Sequence, residues 1–338
     1  MKRQKQHGVA LIVVLLLLAI MTTIAAQMSD RMVVQFHRSA SQSNHQQAYW
    51  YSVGVESLAK IAIKQSIKDD PDSVNLSQVW ALDKKTYPLD FGTAVGGIVD
   101  KQACFNLNAL ASAGQSSSID QRPYLVRIWL KILESAGEEN YLAESVADSS
   151  WEFMDNNQTV QSLSGVEDSS YEAFTPPYVA PNGFIADISE LRAINGVSAA
   201  LFTDVEHLIC ALPTSEWKLN INTIKEEQAE ILTALFSPVL TLSDAQSLIN
   251  DRPYEGWESV DEFLAMAAIH VIDDKIKSSA KPYLSVISQY FELDTEVIVE
   301  QSRVRVRSLL HSKDENTVSV IRRRYGGFSE RSSDNQAQ

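Results

Sequence analysis

Residues 8–29, GVALIVVLLLLAIMTTIAAQMS, carry no Asp, Glu, Lys or Arg. A helix rises ~1.5 Å per residue, so about twenty apolar residues cross the ~30 Å hydrocarbon core of a bilayer. No later stretch of the chain is as long or as apolar. A short basic lead, Lys2, Arg3 and Lys5, stands in front of it. Positive charge flanking a span is held on the cytoplasmic side. The body of the chain is then expected on the far side of the membrane.

Three fates are open to such a segment. It can remain as a plain anchor. It can be a secretory signal peptide cut near Ala25 or Ala26. It can also be cut in front of the apolar run, between Gly8 and Val9. A Gly directly before the run, behind so short a basic lead, resembles the prepilin-type leader of type IV pilins and of the pseudopilins of type II secretion. That resemblance implies cleavage by a prepilin peptidase and N-methylation of the new terminus. Val13 would become the fifth mature residue, where most pilins carry Glu. A carboxylate in a lipid-like environment is costly unless it meets a positive partner. In the family that partner is thought to be the terminal amine of the neighbouring subunit, and Val13 cannot make the pairing. The missing Glu is a feature of the K-type minor pseudopilins and implies a subunit with no neighbour above it, at the filament tip.

The 338 residues suit about two domains. A formal net charge of −14 repels phosphates and anionic headgroups, which disfavours a general electrostatic nucleic-acid binder. Cys104 and Cys210 make an even pair, which points to a disulfide if the body is periplasmic, the alternative being two buried thiols. Neither belongs to a CxxC, so redox catalysis and zinc binding are not indicated.

Helical spacing continues from 30 to about 68, and Asp69-Asp70-Pro71 is a stop, because the residue before Pro avoids the α region. Residues 90–100 and 102–107 read as a hairpin turning near Asp100-Lys101. Further strands are expected at 283–300, 303–310 and 317–325, with turns near Leu293-Asp294 and at 312–316. Arg303, Arg305 and Arg307 alternate with valines and are expected on a solvated sheet face. Between the two groups, helix patterns occupy 124–137, 187–193, 198–212, 225–236, 243–250 and 259–269. The expected class is α+β: a pilin-like long N-terminal helix packed on an antiparallel sheet, with a large all-α domain inserted between strands. The expected divisions are a leader (1–8), a transmembrane or filament helix (9–29), a pilin-like domain (30–111 and 283–325), the insertion (112–282) and a disordered tail (326–338). The disulfide would then join sheet to insertion.

Several pieces of the chain resemble K-type pseudopilins: KQACFNLNAL before the insertion, and within it ISELRAINGVSAALFTDVEHLICALP, LNINTIKEEQAEILTAL and AQSLINDRPYEGWESVDEFL. The first and third of the insertion pieces also look like helix-hairpin-helix units, and a membrane-anchored nucleic-acid-binding protein is the rival reading. A phosphate-holding hairpin usually needs Gly-x-Gly, whereas Asn195-Gly196-Val197-Ser198 offers one Gly among acidic flanks. A second region is rich in hard oxygen donors of the kind that suits calcium: Asp148, Asp155, Asn156, Asn157, Glu167 and Asp168. The family binds calcium in its insertion, and the resemblance assigns Asp155, Asn157, Glu167 and Asp168 as ligands. The alternative is a solvated acidic loop. No catalytic constellation or nucleotide-binding motif is present, so an enzyme is not expected. The resemblance implies a minor pseudopilin in the bacterial inner membrane, its body in the periplasm. It would initiate and cap the pseudopilus, binding other minor pseudopilins and the major pseudopilin through the N-terminal helix, and no nucleic acid.

Overall fold

The computed structural model describes residues 9–81, 84–114, 121–314 and 316–326. Gly8 and the expected tail beyond Gly326 lie outside them. Val9–Asp69 is one unbroken helix, α1, of 61 residues, ending where Pro71 was expected to stop it. At ~1.5 Å per residue it is about 90 Å long. Its first thirty or so residues are exposed along their whole length. Its second half buries Ala48, Ser52, Glu56, Ala59, Ile63 and Ser66, steps of three and four that keep one face on a neighbour.

That neighbour is a five-stranded antiparallel sheet. The chain's strands are β1 (Lys85–Leu89), β2 (Gly92–Asp100), β3 (Phe105–Asn106), β4 (Ile209–Cys210), β5 (Leu219–Asn220), β6 (Leu284–Ser285), β7 (Tyr290–Val299), β8 (Ser302–Asp314) and β9 (Thr317–Tyr325). The sheet order is β1-β2-β7-β8-β9. Strict alternation sends Phe291, Leu293, Val297 and Val299 of β7, with Val304, Val306 and Leu310 of β8, toward α1. Trp80 packs edge-on against Phe291 and closes one end of this core.

One polar group sits in the helix–sheet seam. Glu56 is 3% exposed and takes both Arg323 Nε (2.7 Å) and Nη2 (2.9 Å) from β9. Ser308 Oγ of β8 donates to the same carboxylate at 2.8 Å. Burial opposes the charge on Glu56, but these donors outweigh it and hold its pKa below the usual value.

The sheet departs from the expected pattern in three places. The hairpin is β1–β2, turning at Asp90-Phe91, one strand earlier than expected. Phe105–Asn106 instead pairs in parallel with β4, because the chain leaves the sheet at Asp100 to enter the insertion. No turn interrupts Leu293-Asp294: β7 runs straight through and turns at Glu300, the residue with φ of 52°. The arginine stripe is not simply solvated. Arg305 grips Asp294 at 3.2 and 2.9 Å, Lys84 adds a contact at 2.9 Å, and Arg303 reaches Glu296 at 2.6 Å. Burial resists the Asp294 charge, yet Arg305 and Lys84 prevail and pull its pKa down to about 2.

The segment between β2 and β7 is mostly helical, with its own large core built around Trp129, Trp151, Trp257, Phe105, Phe236 and Tyr171. Its first helices are α2 (Tyr124–Ser135), α3 (Asn140–Met154) and α4 (Asp168–Tyr171). Shorter helices follow at Ala199–Val205, Ala229–Leu235, Leu242–Asn250, Val260–Leu264, Ala267–His270 and Asp274–Ala280. The helix expected at 198–212 ends early so that β4 can form, and the one expected at 259–269 breaks at Ala265-Met266. The segment is therefore not purely α, since it contributes to the two short parallel pairs β3–β4 and β5–β6.

The insertion is fixed at its stem. Cys104 and Cys210 form a disulfide with a Cα–Cα distance of 5.9 Å, packed against Leu309 of β8. Nearby, the buried Asp100 carboxylate accepts from Ser288 Oγ (2.5 Å), Thr223 Oγ1 (2.5 Å), Asn220 Nδ2 (3.2 Å) and Gln102 N (2.7 Å). Those donors come from the insertion and from the segments flanking it. The insertion also meets the far end of α1, where Val74 N bonds Val286 O (2.8 Å) and Asn220 Nδ2 bonds Val74 O (3.0 Å).

Candidate metal centre

Helix α3 carries Glu152 near its C-terminal end, and Asp155 caps that end. Three residues apart, they lie on the same side of the helix. The loop that follows folds back and delivers Glu167 immediately before α4. The return is tight: a Cβ on Gly165 would lie 2.4 Å from Ser162 Oγ and 2.7 Å from Glu152 Cγ, so no larger residue fits without displacing the wall. One carboxylate oxygen from each of Glu152, Asp155 and Glu167 falls within 4.8 Å of the others, and all three residues are buried.

Part of this cluster is satisfied from within the loop. Glu152 Oε1 accepts from Ser162 Oγ (2.6 Å) and Gln161 N (2.8 Å). Asp155 accepts from Asn157 N (3.0 Å), Asn157 Nδ2 (2.8 Å) and Gln161 Nε2 (2.5 Å). Glu152 Oε2 and both oxygens of Glu167 are buried with no partner. Burial first, then the charges of Asp155, Glu152 and Asp168, push Glu167 up to about 7. Burial likewise raises Glu152 and Asp155. Three converging carboxylates, those of Glu152 and Glu167 with orphaned oxygens, and no basic group among the contacts described suit a hard cation, whose charge would offset the repulsion.

The structure brings together two of the four expected ligands, Asp155 and Glu167. Asn157 donates from Nδ2 to Asp155 (2.8 Å) and accepts at its Oδ1 from Thr159 N (2.8 Å). Asp168 Oδ1 accepts from Ala180 N (2.9 Å) and Oδ2 from Gln158 Nε2 (2.8 Å), so it ties the loop to its neighbours. Asp148 lies inside α3, gripped by Arg122 at 2.6 and 3.0 Å. Glu152 was missed because the stretch reads as a loop. Its spacing from Asp155 becomes a signal only once α3 is recognised as a helix, with Trp151 and Phe153 both facing its core.

At the other end of the chain, Val9 begins α1 and Val13 is an exposed residue within it. The exposed first half of α1 is long and apolar enough to cross a membrane and is a candidate anchor.

Two family models match the chain, both described as "Type II secretion system (T2SS), protein K", over residues 103–214 and 219–286. Type II secretion system protein K of Aeromonas hydrophila is 35% identical over 328 residues, covering 96% of this chain and 98% of that protein. The chain belongs to the type II secretion system protein K family. The protein K of Klebsiella pneumoniae is similar at 35% identity, covering 95% and 97% of the two chains. Among solved structures, a chain of the GspK-GspI-GspJ complex from enterotoxigenic Escherichia coli aligns with a TM-score of 0.79 and 38% identity, over 86% of this chain and 99% of that one. Protein K is a structural secretion component, and the chain is accordingly a minor pseudopilin. The helix-hairpin-helix reading as a nucleic-acid binder finds no support among these relatives.

Proposed function

We propose that this minor pseudopilin starts and caps the pseudopilus tip. The observation that carries the reading is the position of the insertion. It docks on residues 73–75, at the end of α1 remote from the apolar segment. A body of that bulk at the far end leaves no helix end free for a further subunit to stack on. The apolar part of α1 would first hold the subunit in the inner membrane, body in the periplasm, after cleavage between Gly8 and Val9 and methylation of Val9. It would then pack among neighbouring helices, with Val13 needing no amine partner.

The partners would be counterparts of GspI and GspJ, the proteins that accompany the similar solved chain, together with the major pseudopilin. They would meet the face of α1 that points away from the sheet, where Trp50, Leu58 and Ile61 are each more than 60% exposed. Gly54, with nothing near its Cβ position, leaves a notch among them for close helix approach. Calcium is the cation best matched to the all-oxygen cluster, held by Glu152, Asp155 and Glu167. It would pin the loop between α3 and α4 and neutralise charges that otherwise oppose folding.

Two measurements test this together. The N-terminal mass of the membrane protein, with and without the prepilin peptidase, should show a start at Val9 only when the peptidase is present. Co-purification of the GspI and GspJ counterparts should fall at least tenfold with Trp50→Ala/Leu58→Ala while the thermal midpoint stays unchanged. A start near Gln27, or full retention of both partners, would overturn the reading.

A further inference from the structure

Asp148, Glu152 and Asp155 follow one another along α3 at spacings of four and three, so they stand on one side of the helix. The last two belong to the carboxylate cluster, and Asp148, one turn earlier, does not. Asp148 is completely buried, and both of its oxygens are taken. Arg122, two residues ahead of α2, donates from Nε to Oδ1 (2.6 Å) and from Nη2 to Oδ2 (3.0 Å). The same guanidinium reaches Glu144, a half-exposed residue one turn further back on α3, at 3.2 Å.

Asp148 also holds the loop that completes the cluster. Its Oδ2 accepts from Ser164 N at 3.2 Å. Ser145, three residues ahead of Asp148, donates its hydroxyl to Ser164 O at 3.4 Å. Both backbone polar groups of Ser164 are thus bound to α3. Gly165 comes next, where a Cβ would lie 3.2 Å from the carbonyl carbon of Asp148 as well as against Glu152. Glu167 follows two residues later, buried, with neither carboxylate oxygen bonded to any protein group. No side-chain bond aims Glu167, so its direction comes from the backbone held at Ser164.

We propose that Arg122 and Asp148 are a positioning pair for the cation site, acting through Ser164 on Glu167. The inference rests on the calcium reading given above. The planar fork of Arg122 fixes the Asp148 carboxylate, the carboxylate fixes Ser164, and Ser164 sets the path on which Glu167 enters. Groups just outside a ligand set tune metal affinity in this way. Charge alone predicts the opposite sign. Arg122 is a cation bonded one helical turn from Glu152, so it repels a bound cation, and its removal would tighten binding. The direction in which Arg122 moves affinity therefore separates orientation from charge.

The test titrates calcium chloride into the full chain, in detergent at neutral pH after treatment with chelator, by calorimetry. Arg122→Gln should bind calcium about tenfold more weakly than the parent. Arg122→Lys keeps the charge and loses the fork, so it should also bind more weakly, by roughly threefold. It decides the matter alone if Arg122→Gln does not fold. Glu144→Gln removes the other partner of Arg122 without touching the loop and should stay within about twofold of the parent. Misdirection of Glu167 has a signature that lost stability lacks. Water takes the place of a departed ligand on a hard ion, so terbium bound to Arg122→Lys should carry about one more water than in the parent, read from luminescence lifetimes in H₂O and D₂O. Equal or tighter calcium binding by Arg122→Gln would overturn the proposal and leave the cation site standing, as would parent-like affinity and hydration in Arg122→Lys. Failure of the parent to bind calcium would overturn the site and the pair's role together.

Discussion

Replacing Glu167 with Gln should have opposite effects with and without calcium. In chelator the parent carries three buried carboxylates, and Glu167 is raised from 4.5 to about 7. A group whose folded pKa is raised leaves the fold most stable below the unfolded value. Stability is then lost as pH rises from about 4.5 and is lost fully above about 7. At full weight the shift corresponds to roughly 3 kcal/mol. The loop lies near the surface and water screens it, so about half that, 1–2 kcal/mol, is the expected size. For a body of this size that is a thermal midpoint difference of about 3–6 °C. The assay is thermal unfolding in detergent at pH 5 and pH 8, with EDTA or with millimolar CaCl₂. In EDTA, parent protein should melt lower at pH 8 than at pH 5, and Glu167→Gln should melt above the parent at pH 8. In calcium the order should reverse, since the variant has lost a ligand and the parent gains by mass action. The reasoning fails if Glu167→Gln is the less stable protein in EDTA at pH 8, or if calcium raises both proteins equally.

Three further outcomes are expected. Cys104→Ser/Cys210→Ser should cost about 2–4 kcal/mol in denaturant unfolding, a cross-link over so long a loop lying at the upper end of the usual range; a cost under about 1 kcal/mol would mean that the packing around Leu309 already fixes the stem. Glu56→Ala should destabilise by about 2 kcal/mol, because it strands Arg323 and Ser308 while Arg323 retains some access to water; protection of β9 amides from exchange should fall with it, and unchanged protection would show that the pair does not secure that strand. Val13→Glu should leave the fold intact and impair tip placement, measured as secretion and pseudopilus length, and normal capping would remove the charge argument.

The long helix was legible because its two signals, an uncharged apolar run and then a three-and-four spacing up to Asp70-Pro71, are local. The β8 alternation of Arg303, Val304, Arg305, Val306 and Arg307 was legible for the same reason. What periodicity does not carry is pairing. Residues 105–106 look like the return arm of a hairpin, yet they pair with Ile209–Cys210, a choice made by the insertion rather than by their own pattern. The run through Leu293-Asp294 suggests a turn because Asp is a turn former, but Lys84 and Arg305 give that carboxylate a place on an ordinary strand. The candidate site was half visible. Asp155 and Glu167 emerged from a family pattern. Glu152 was hidden because α3 carries serines and acids that read as loop, and its helical state depends on burying Val146, Ala147, Trp151 and Met154 in the insertion core. Asn157 and Asp168 have the right chemistry, but their side chains are taken up by the turn that shapes the loop.

The stem of the insertion has a consequence for the order in which the chain can form. Asp100 and Phe291 are paired neighbours on β2 and β7, and Ser288 Oγ reaches Asp100 across 188 positions of sequence. The helix α1 is made first, but most of the strands that cover its buried face, β7, β8 and β9, are made last. During synthesis Glu56, Ala59 and Ile63 therefore stay uncovered until the whole insertion has emerged. Closing so long a loop on an unfolded insertion is slow, and an insertion already folded brings its two ends together. Maturation should thus run from the inside outward in sequence: the insertion first, then the sheet around its stem, and the helix sheathed only at the end. A chain stalled before β7 would hold a long helix with its sheet-facing side bare, and exposed apolar surface of that kind makes an incomplete fold prone to aggregate.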